Sequence, residues 1–366
     1  MTMTGPRVLI VGAGIAGLAA GRALARHGIV ADIVERVGEW RAEGTGMYLP
    51  ANAVRALDEL GLADAVEERG ARVRRQRVVD HRGRSIAGMD VDDIWGSGRC
   101  LAVHRADLHR ILLDATRDLP VRLGAVLTGL AGDDQVKATF SDGSAGVYDL
   151  VIGADGVHSS VRGLVFGARA ARPVGQVCWR FVAEGFPGIR DWTLYTGPGR
   201  AFLTVGIGGD RVYCYADLMG ESLDPSLNEN WRARFRDFAD PIPALLDQGG
   251  DALPGLIEEV SPPVWSAGRV VLIGDAAHAS SPNLAQGAAM AVEDALVLAD
   301  LISNRPVDEA LTAYRERRSP RVSWVQDQTH HRDKLRKLHP AVRKLSLRLA
   351  ASKFFVAPYR PLRERP

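Results

Sequence analysis

Residues 7–26 read RVLIVGAGIAGLAAGRALAR, a short all-apolar strand running into Gly12, Gly14 and Gly17 and then into an alanine-rich helix. Few sequence features restrict a fold so closely. The first glycine permits a tight turn, the second lets a pyrophosphate approach the backbone, and the third lets helix and strand pack closely, while the free N–H groups and dipole of the helix attract phosphate. A second strand, Ile29 to Val34, ends in Glu35. That is about where an acidic side chain takes the hydroxyls of an adenosine ribose. Strand, glycines, helix, strand and terminal acid together predict a Rossmann-type dinucleotide site and leave FAD and NAD both open.

At 366 residues and 46% hydrophobic, the chain can bury one large core or two joined ones. A formal charge of +2 gives no reason to invoke nucleic acid. Cys100, Cys178 and Cys214 show no CxxC or longer paired spacing, which argues against a disulfide framework, a zinc site and a redox dithiol. A reducing cytoplasm suits that usage. The N-terminal apolar run contains the glycine fingerprint and leads to a second Rossmann strand, so it reads as structure and not as a signal peptide. No other stretch approaches 18 unbroken apolar residues, and no transmembrane helix is predicted.

Further along, Val54, Leu57 and Leu60 share one side of a helix, and residues 77–89 read as a hairpin turning at Arg82-Gly83. Leu108, Ile111, Leu112 and Ala115 mark an amphipathic helix preceded by His104-Arg105. The strand at 148–152 enters Gly153-Ala154-Asp155-Gly156. From Gln176 to Leu218 apolar and polar residues alternate, which predicts a separate antiparallel sheet. Helices around 230–248 precede a last Rossmann-type strand at 269–273, then Gly274-Asp275, a polar loop and a helix opening at Gln286-Gly287.

The three motifs Gly12-Ala13-Gly14-Ile15-Ala16-Gly17, Gly153-Ala154-Asp155-Gly156 and Gly274-Asp275, in this order and at these separations, resemble the single-component FAD-dependent aromatic hydroxylases, the group A flavoprotein monooxygenases. The likeness covers roughly residues 7 to 315 and is weaker in the sheet region. Ala285-Gln286-Gly287-Ala288 is similar to the salicylate-hydroxylase branch, although many relatives have glycine where Ala285 stands. The resemblance implies an α/β fold: a Rossmann-type FAD-binding domain, an inserted mainly antiparallel β-sheet substrate domain and a C-terminal helical tail. The expected divisions are 1–75, 99–170 and 267–315 for FAD binding, 76–98 and 171–266 for substrate, and 316–366 for the tail.

The implied cofactor set is Gly12, Gly14, Ile15, Ala16, Gly17, Glu35, Arg36, Gly46, Arg105, Asp155, Gly274, Asp275, Pro282, Ala285, Gln286, Gly287 and Ala288. Within it, Arg105 reaches the phosphates and Asp155 and Asp275 support the cofactor, the Asp275 carboxylate accepting from the ribityl chain. Gly44 and Gly46 belong to a mobile loop passing the flavin. N–H groups at the start of the helix after Gln286 would face the pyrimidine edge and stabilise the anion formed there on reduction. Trp179, Arg180, Tyr195, Phe202, Tyr213 and Tyr215, with Pro282, are candidate walls of a substrate pocket, and alternation allows only about half the sheet residues to face it. His278 is assigned no chemistry.

The activity implied is hydroxylation of an aromatic or related electron-rich small molecule with NADH or NADPH and O2, through a flavin C4a-hydroperoxide that the protein must shield from water. No second GxGxxG is present, which fits transient docking of the nicotinamide nucleotide. Other readings are a flavin oxidase or dehydrogenase without oxygen insertion, a flavin-holding protein for a biosynthetic intermediate, and an NAD(P)-only dehydrogenase. The Trp-x-Trp-x-Ile-Pro segment of flavin halogenases is absent. Arg343, Lys344 and Arg348 among Leu345, Leu347 and Leu349 suggest a helical cap, a dimer contact or a basic membrane-surface helix, in a monomer or homodimer.

Overall fold

The strands Val8–Val11 and Leu150–Gly153 are buried along their whole length, and this is why each reads as an unbroken apolar run and not as an alternating one. They pair in parallel, Val8 opposite Leu150, and Val8–Val11 also pairs in parallel with Ala31–Glu35. Val121–Leu123 extends the sheet on one side and Val270–Leu272 on the other, with the short antiparallel strand Ser266–Ala267 at the edge. This six-stranded sheet is the Rossmann half of an α/β fold. The computed structural model describes all residues except 1–4, 41–43, 168–170, 221–224, 262–263, 337, 339–341 and 343–354. The basic segment at 343–349 therefore lies outside the described residues.

The second large sheet has seven strands in the order Leu253–Glu259, Arg172–Ala183, Val212–Met219, Arg200–Gly206, Trp192–Gly197, Arg75–Asp80 and Ser85–Asp90. All neighbours are antiparallel except the pair Trp192–Gly197 with Arg75–Asp80. The hairpin expected around Arg82-Gly83 thus joins this sheet at its edge. Strand alternation divides the side chains between two layers. Val177, Trp179, Phe181, Phe202 and Ala216 pack on a helical layer carrying Trp231, Phe235, Phe238 and Leu245. Trp179 stacks on Trp231 with centroids 5.4 Å apart and planes 6° from parallel. Each buried side chain of that size contributes roughly 1.5–3 kcal/mol by leaving water. Cys178, Tyr213 and Tyr215 point the other way and belong to the core shared with the Rossmann half.

Two long helices close the back of the molecule, Gly287–Asn304 and Val307–Arg336. The first is apolar almost all round and packs against the helix Ile15–Arg26, as expected of a helix buried between layers. No helix among the described residues is long and apolar enough to cross a membrane.

Candidate functional site

The glycine loop has three glycines with three different needs. Gly12 adopts φ +103°, and a Cβ there would stand 2.5 Å from the Ala154 carbonyl oxygen. A Cβ on Gly17 would stand 1.8 Å from the Gly12 oxygen, so helix and strand could not close. Around a Cβ on Gly14 there is nothing within 4 Å. Gly14 has ordinary extended backbone, φ −76°, and caps the helix Ile15–Arg26 without a side-chain hydrogen bond or an acidic residue in the first turn. Protein packing does not require this glycine; an anion approaching the uncapped N–H groups would. The residues therefore fit a pyrophosphate.

Side chains brace the loop from both sides. Glu35 Oε2 accepts from the Ala13 N–H at 2.8 Å, while His109 Nε2 donates to the Ala13 carbonyl at 2.8 Å. Trp40 lies edge-on to the His109 ring. Arg105 begins the helix Arg105–Ala115, its N–H bonded to the Thr45 carbonyl and its stem against Gly44. Arg105 and Arg36 are both exposed. His109 and Trp40 went unremarked in the sequence because neither belongs to a spaced motif.

Opposite this cradle, Gly274 sits between two helices: a Cβ there would meet Ala16 Cβ at 2.9 Å and Ala291 Cβ at 3.3 Å. The next residue, Asp275, is exposed. Its Oδ1 lies 3.9 Å from where a Cβ on Gly287 would be, so the carboxylate borders the N-terminus of the helix Gly287–Asn304. That terminus is also uncapped and free of acidic residues in its first turn. The Gln286 side chain turns inward instead, exchanging hydrogen bonds with Asn52 at 2.9 and 3.2 Å. Before it, Pro282 is exposed and Ala285 holds a left-handed φ of +52°. Two bare helix N-termini thus flank one exposed carboxylate.

Asp155 is placed differently from a ligand-facing carboxylate. It accepts from Ser159 Oγ, Ser160 N, Ser160 Oγ and Val161 N at 2.5–3.1 Å, capping the helix Ser160–Phe166. Its support for the loop Ala154–Gly156 is structural. Gly46 also departs from expectation: it lies in the strand Gly46–Leu49, paired with His104, and a Cβ there would stand 2.2 Å from Tyr213 Cβ. It is a packing glycine and not a hinge. Gly44, with φ +145°, remains in the preceding loop.

Behind Gly274 lies a buried charge network that the spacing of motifs could not reveal. Asp294 Oδ2 accepts from the Gly274 N–H at 2.9 Å and meets His278 Nε2 at 2.6 Å, while Asp294 Oδ1 accepts from Arg318 Nε at 2.7 Å. Arg318 and Arg321 both donate to Glu293. Burial alone would raise the Asp294 carboxyl, but the neighbouring His278 and Arg318 bring it down to about 2. No cluster of metal-binding side chains occurs among the described residues.

On the sheet, the candidate walls separate. Arg180 stands opposite Tyr215, and Val182 opposite Tyr213, on the face toward strand Gly46–Leu49. Trp179, Phe202 and Tyr195 occupy the other face, within the helical layer's core. Trp179 and Phe202 are completely buried there, so they are corrected from pocket walls to core residues. Burial raises the Tyr213 and Tyr215 phenols, which keeps both hydroxyls protonated.

Comparison with known proteins agrees with this geometry. The FAD binding domain family matches residues 6–173 and 261–329. The chain is 36% identical over 336 residues to 2-heptyl-3-hydroxy-4(1H)-quinolone synthase of Pseudomonas aeruginosa, covering 88% of this chain and 87% of that protein. It is 33% identical to aurachin C monooxygenase/isomerase of Stigmatella aurantiaca, covering 87% of each. Among solved structures, Klebsiella pneumoniae HpxO complexed with FAD and uric acid superposes with a TM-score of 0.84 at 29% identity, covering 98% of this chain and 92% of that one.

Proposed function

This chain belongs to the FAD-dependent aromatic monooxygenases, and on that premise we propose that it hydroxylates a heteroaromatic small molecule by the balance substrate–H + O2 + NAD(P)H + H⁺ → substrate–OH + H2O + NAD(P)⁺. FAD, once bound, supplies the oxygen-activating chemistry. The observation that carries the reading is the meeting of two uncapped helix N-termini at Gly274, beside the exposed carboxylate of Asp275.

Each part of the cleft has a task in this reading. Gly12, Gly14, Ile15, Ala16 and Gly17 receive the pyrophosphate, with Arg105 adding charge, while Glu35 and Arg36 face the adenosine end. Asp275 accepts from the ribityl chain. Pro282 and Ala285 shape the turn and Gln286 opens the helix, so that the unpaired N–H groups of Gly287 and Ala288 would face the flavin's pyrimidine edge and supply partial positive charge there. Arg180, Tyr213 and Tyr215 close the substrate side and exclude water, which protects the activated oxygen from wasteful release as H2O2. Gly44 lets the loop before Gly46 move as the nicotinamide nucleotide docks. The three free, buried cysteines suit a reducing cytoplasm.

Given the quinolone and urate relatives, 4(1H)-quinolones and purines are the first substrates to screen, followed by salicylates. The deciding experiment supplies ¹⁸O2 with NAD(P)H and a substrate that stimulates its oxidation. One labelled oxygen in the product supports the hydroxylase; an oxidised product without label makes the protein a flavin oxidase.

A further inference from the structure

The last turn of the helix Val307–Arg336 grips two side-chain amides that belong to different parts of the molecule. On the turn Ser281–Asn283, the Asn283 carbonyl accepts from Arg332 Nη1 at 2.7 Å, its Nδ2 donates to Asp333 Oδ1, and its Oδ1 accepts from Arg336 Nη1 at 3.5 Å. Ser281 Oγ also donates to Asp333 Oδ1 at 3.3 Å. On the sheet, the same two side chains hold Gln176, whose Nε2 donates to Asp333 Oδ1 at 2.7 Å and whose Oε1 accepts from Arg336 Nη1 at 3.2 Å. Arg336 further binds both carboxylate oxygens of Asp217, two residues beyond Tyr215 on the same face of its strand. Gln176 and Asp217 are buried, so a bond broken here is not replaced by one to water. Turn and sheet can separate only if several such bonds break together.

We propose that Asp333 and Arg336 are positioning residues that clamp the Ser281–Asn283 turn to the substrate sheet. The helix Val307–Arg336 thereby sets the width of the cleft between the exposed Pro282 and the strand carrying Tyr215, and it fixes the chain that enters the next helix at Gly287. The planar fork of Arg336 suits this task, because it reaches Asp217, Gln176 and Asn283 at once, which a point charge does not. This inference rests on the reading of that cleft as the flavin and substrate site of a monooxygenase.

The test is hydrogen–deuterium exchange of the FAD-loaded protein, read at residues 281–288 and, as a remote control, at 231–248 on the far side of the sheet, together with the rate of FAD release. Asp333→Ala removes the acceptor of Gln176, Ser281 and Asn283; exchange at the turn should rise about five- to a hundredfold with the control within about twofold, and FAD release should quicken. Asn283→Ala changes a half-buried neutral residue of the turn itself and should act in the same direction, and the double variant should exchange no faster than the faster single one. Arg336→Met strands the buried Asp217 charge and should lower Tm; Arg336→Met/Asp217→Leu leaves neither member of that pair, so Tm should recover while the turn stays exposed to exchange. Unchanged exchange at the turn, an equal rise in turn and control, unchanged FAD release, or protection regained along with Tm in the last variant would overturn the clamp. A turn loosened selectively, with faster FAD release, upholds it even where ¹⁸O never enters product, a result that counts against the hydroxylase reading alone.

Discussion

The Asp294 carboxylate holds the backbone N–H of Gly274 at 2.9 Å, joining the middle of one buried helix to the turn that presents Asp275. Because the same carboxylate also engages His278 and Arg318, the geometry of the Gly274-Asp275 turn depends on a charge in the interior. Replacing Asp294 by Ala leaves Arg318 with part of its compensation gone, and breaking such a buried pair costs about 3–5 kcal/mol. Urea unfolding of Asp294→Ala should show a loss of that order.

The same residue sets an acid limit. Its carboxyl lies at about 2 in the folded protein against 3.8 for the ordinary group, so its contribution to stability is complete above about pH 4 and is lost as pH falls toward 2. Unfolding free energy measured from pH 5 to pH 2.5 should fall less steeply in Asp294→Asn than in wild type. Identical slopes would show that this carboxylate does not carry the acid sensitivity.

Gly14 and Gly17 make opposite predictions. Gly14→Val places its Cβ where no protein atom lies within 4 Å, so the protein should fold with its normal Tm as apoprotein and fail to retain FAD. Gly17→Ala drives a methyl into the Gly12 carbonyl and should lower Tm whether or not FAD is present. Thermal melts with and without added FAD separate the two.

Asp275 is exposed, so Asp275→Ala should leave apoprotein stability within about 0.5 kcal/mol of wild type. FAD binding should weaken by about 1.5–3 kcal/mol, the range for a hydrogen bond to a charged group. Cofactor release measured by flavin fluorescence checks this. Unchanged FAD affinity would remove Asp275 from the cofactor site.

Gly44 offers a kinetic test of gating. A methyl there meets Arg105 Cβ at 3.1 Å on a backbone of φ +145°, a conformation that side chains resist. Gly44→Ala should slow anaerobic flavin reduction by NAD(P)H in the presence of substrate while changing substrate affinity little. Stopped-flow reduction that stays fast in the variant would dissociate this loop from nucleotide access.

The glycine turn was legible in the sequence because its physics is local: strand, glycines and helix are contiguous, and the backbone conformation of a dozen residues builds it. The turn at Gly274-Asp275 and the bare N-terminus after Gln286 were readable for the same reason. Alternation in Arg172–Ala183 declared two faces, but which of them looked toward the Rossmann half depended on whether the helical layer around Trp231 and Phe235 packed on Trp179 or on Arg180, a contact between residues distant in the chain. The roles of Asp155, turned to capping Ser160–Phe166, and of Gly46, pressed against Tyr213, were likewise settled by neighbours that motif spacing does not specify. So was the Asp294–His278–Arg318 network. Local backbone chemistry is written in consecutive residues, whereas the facing of a strand and the pairing of buried charges exist only once separate elements have packed.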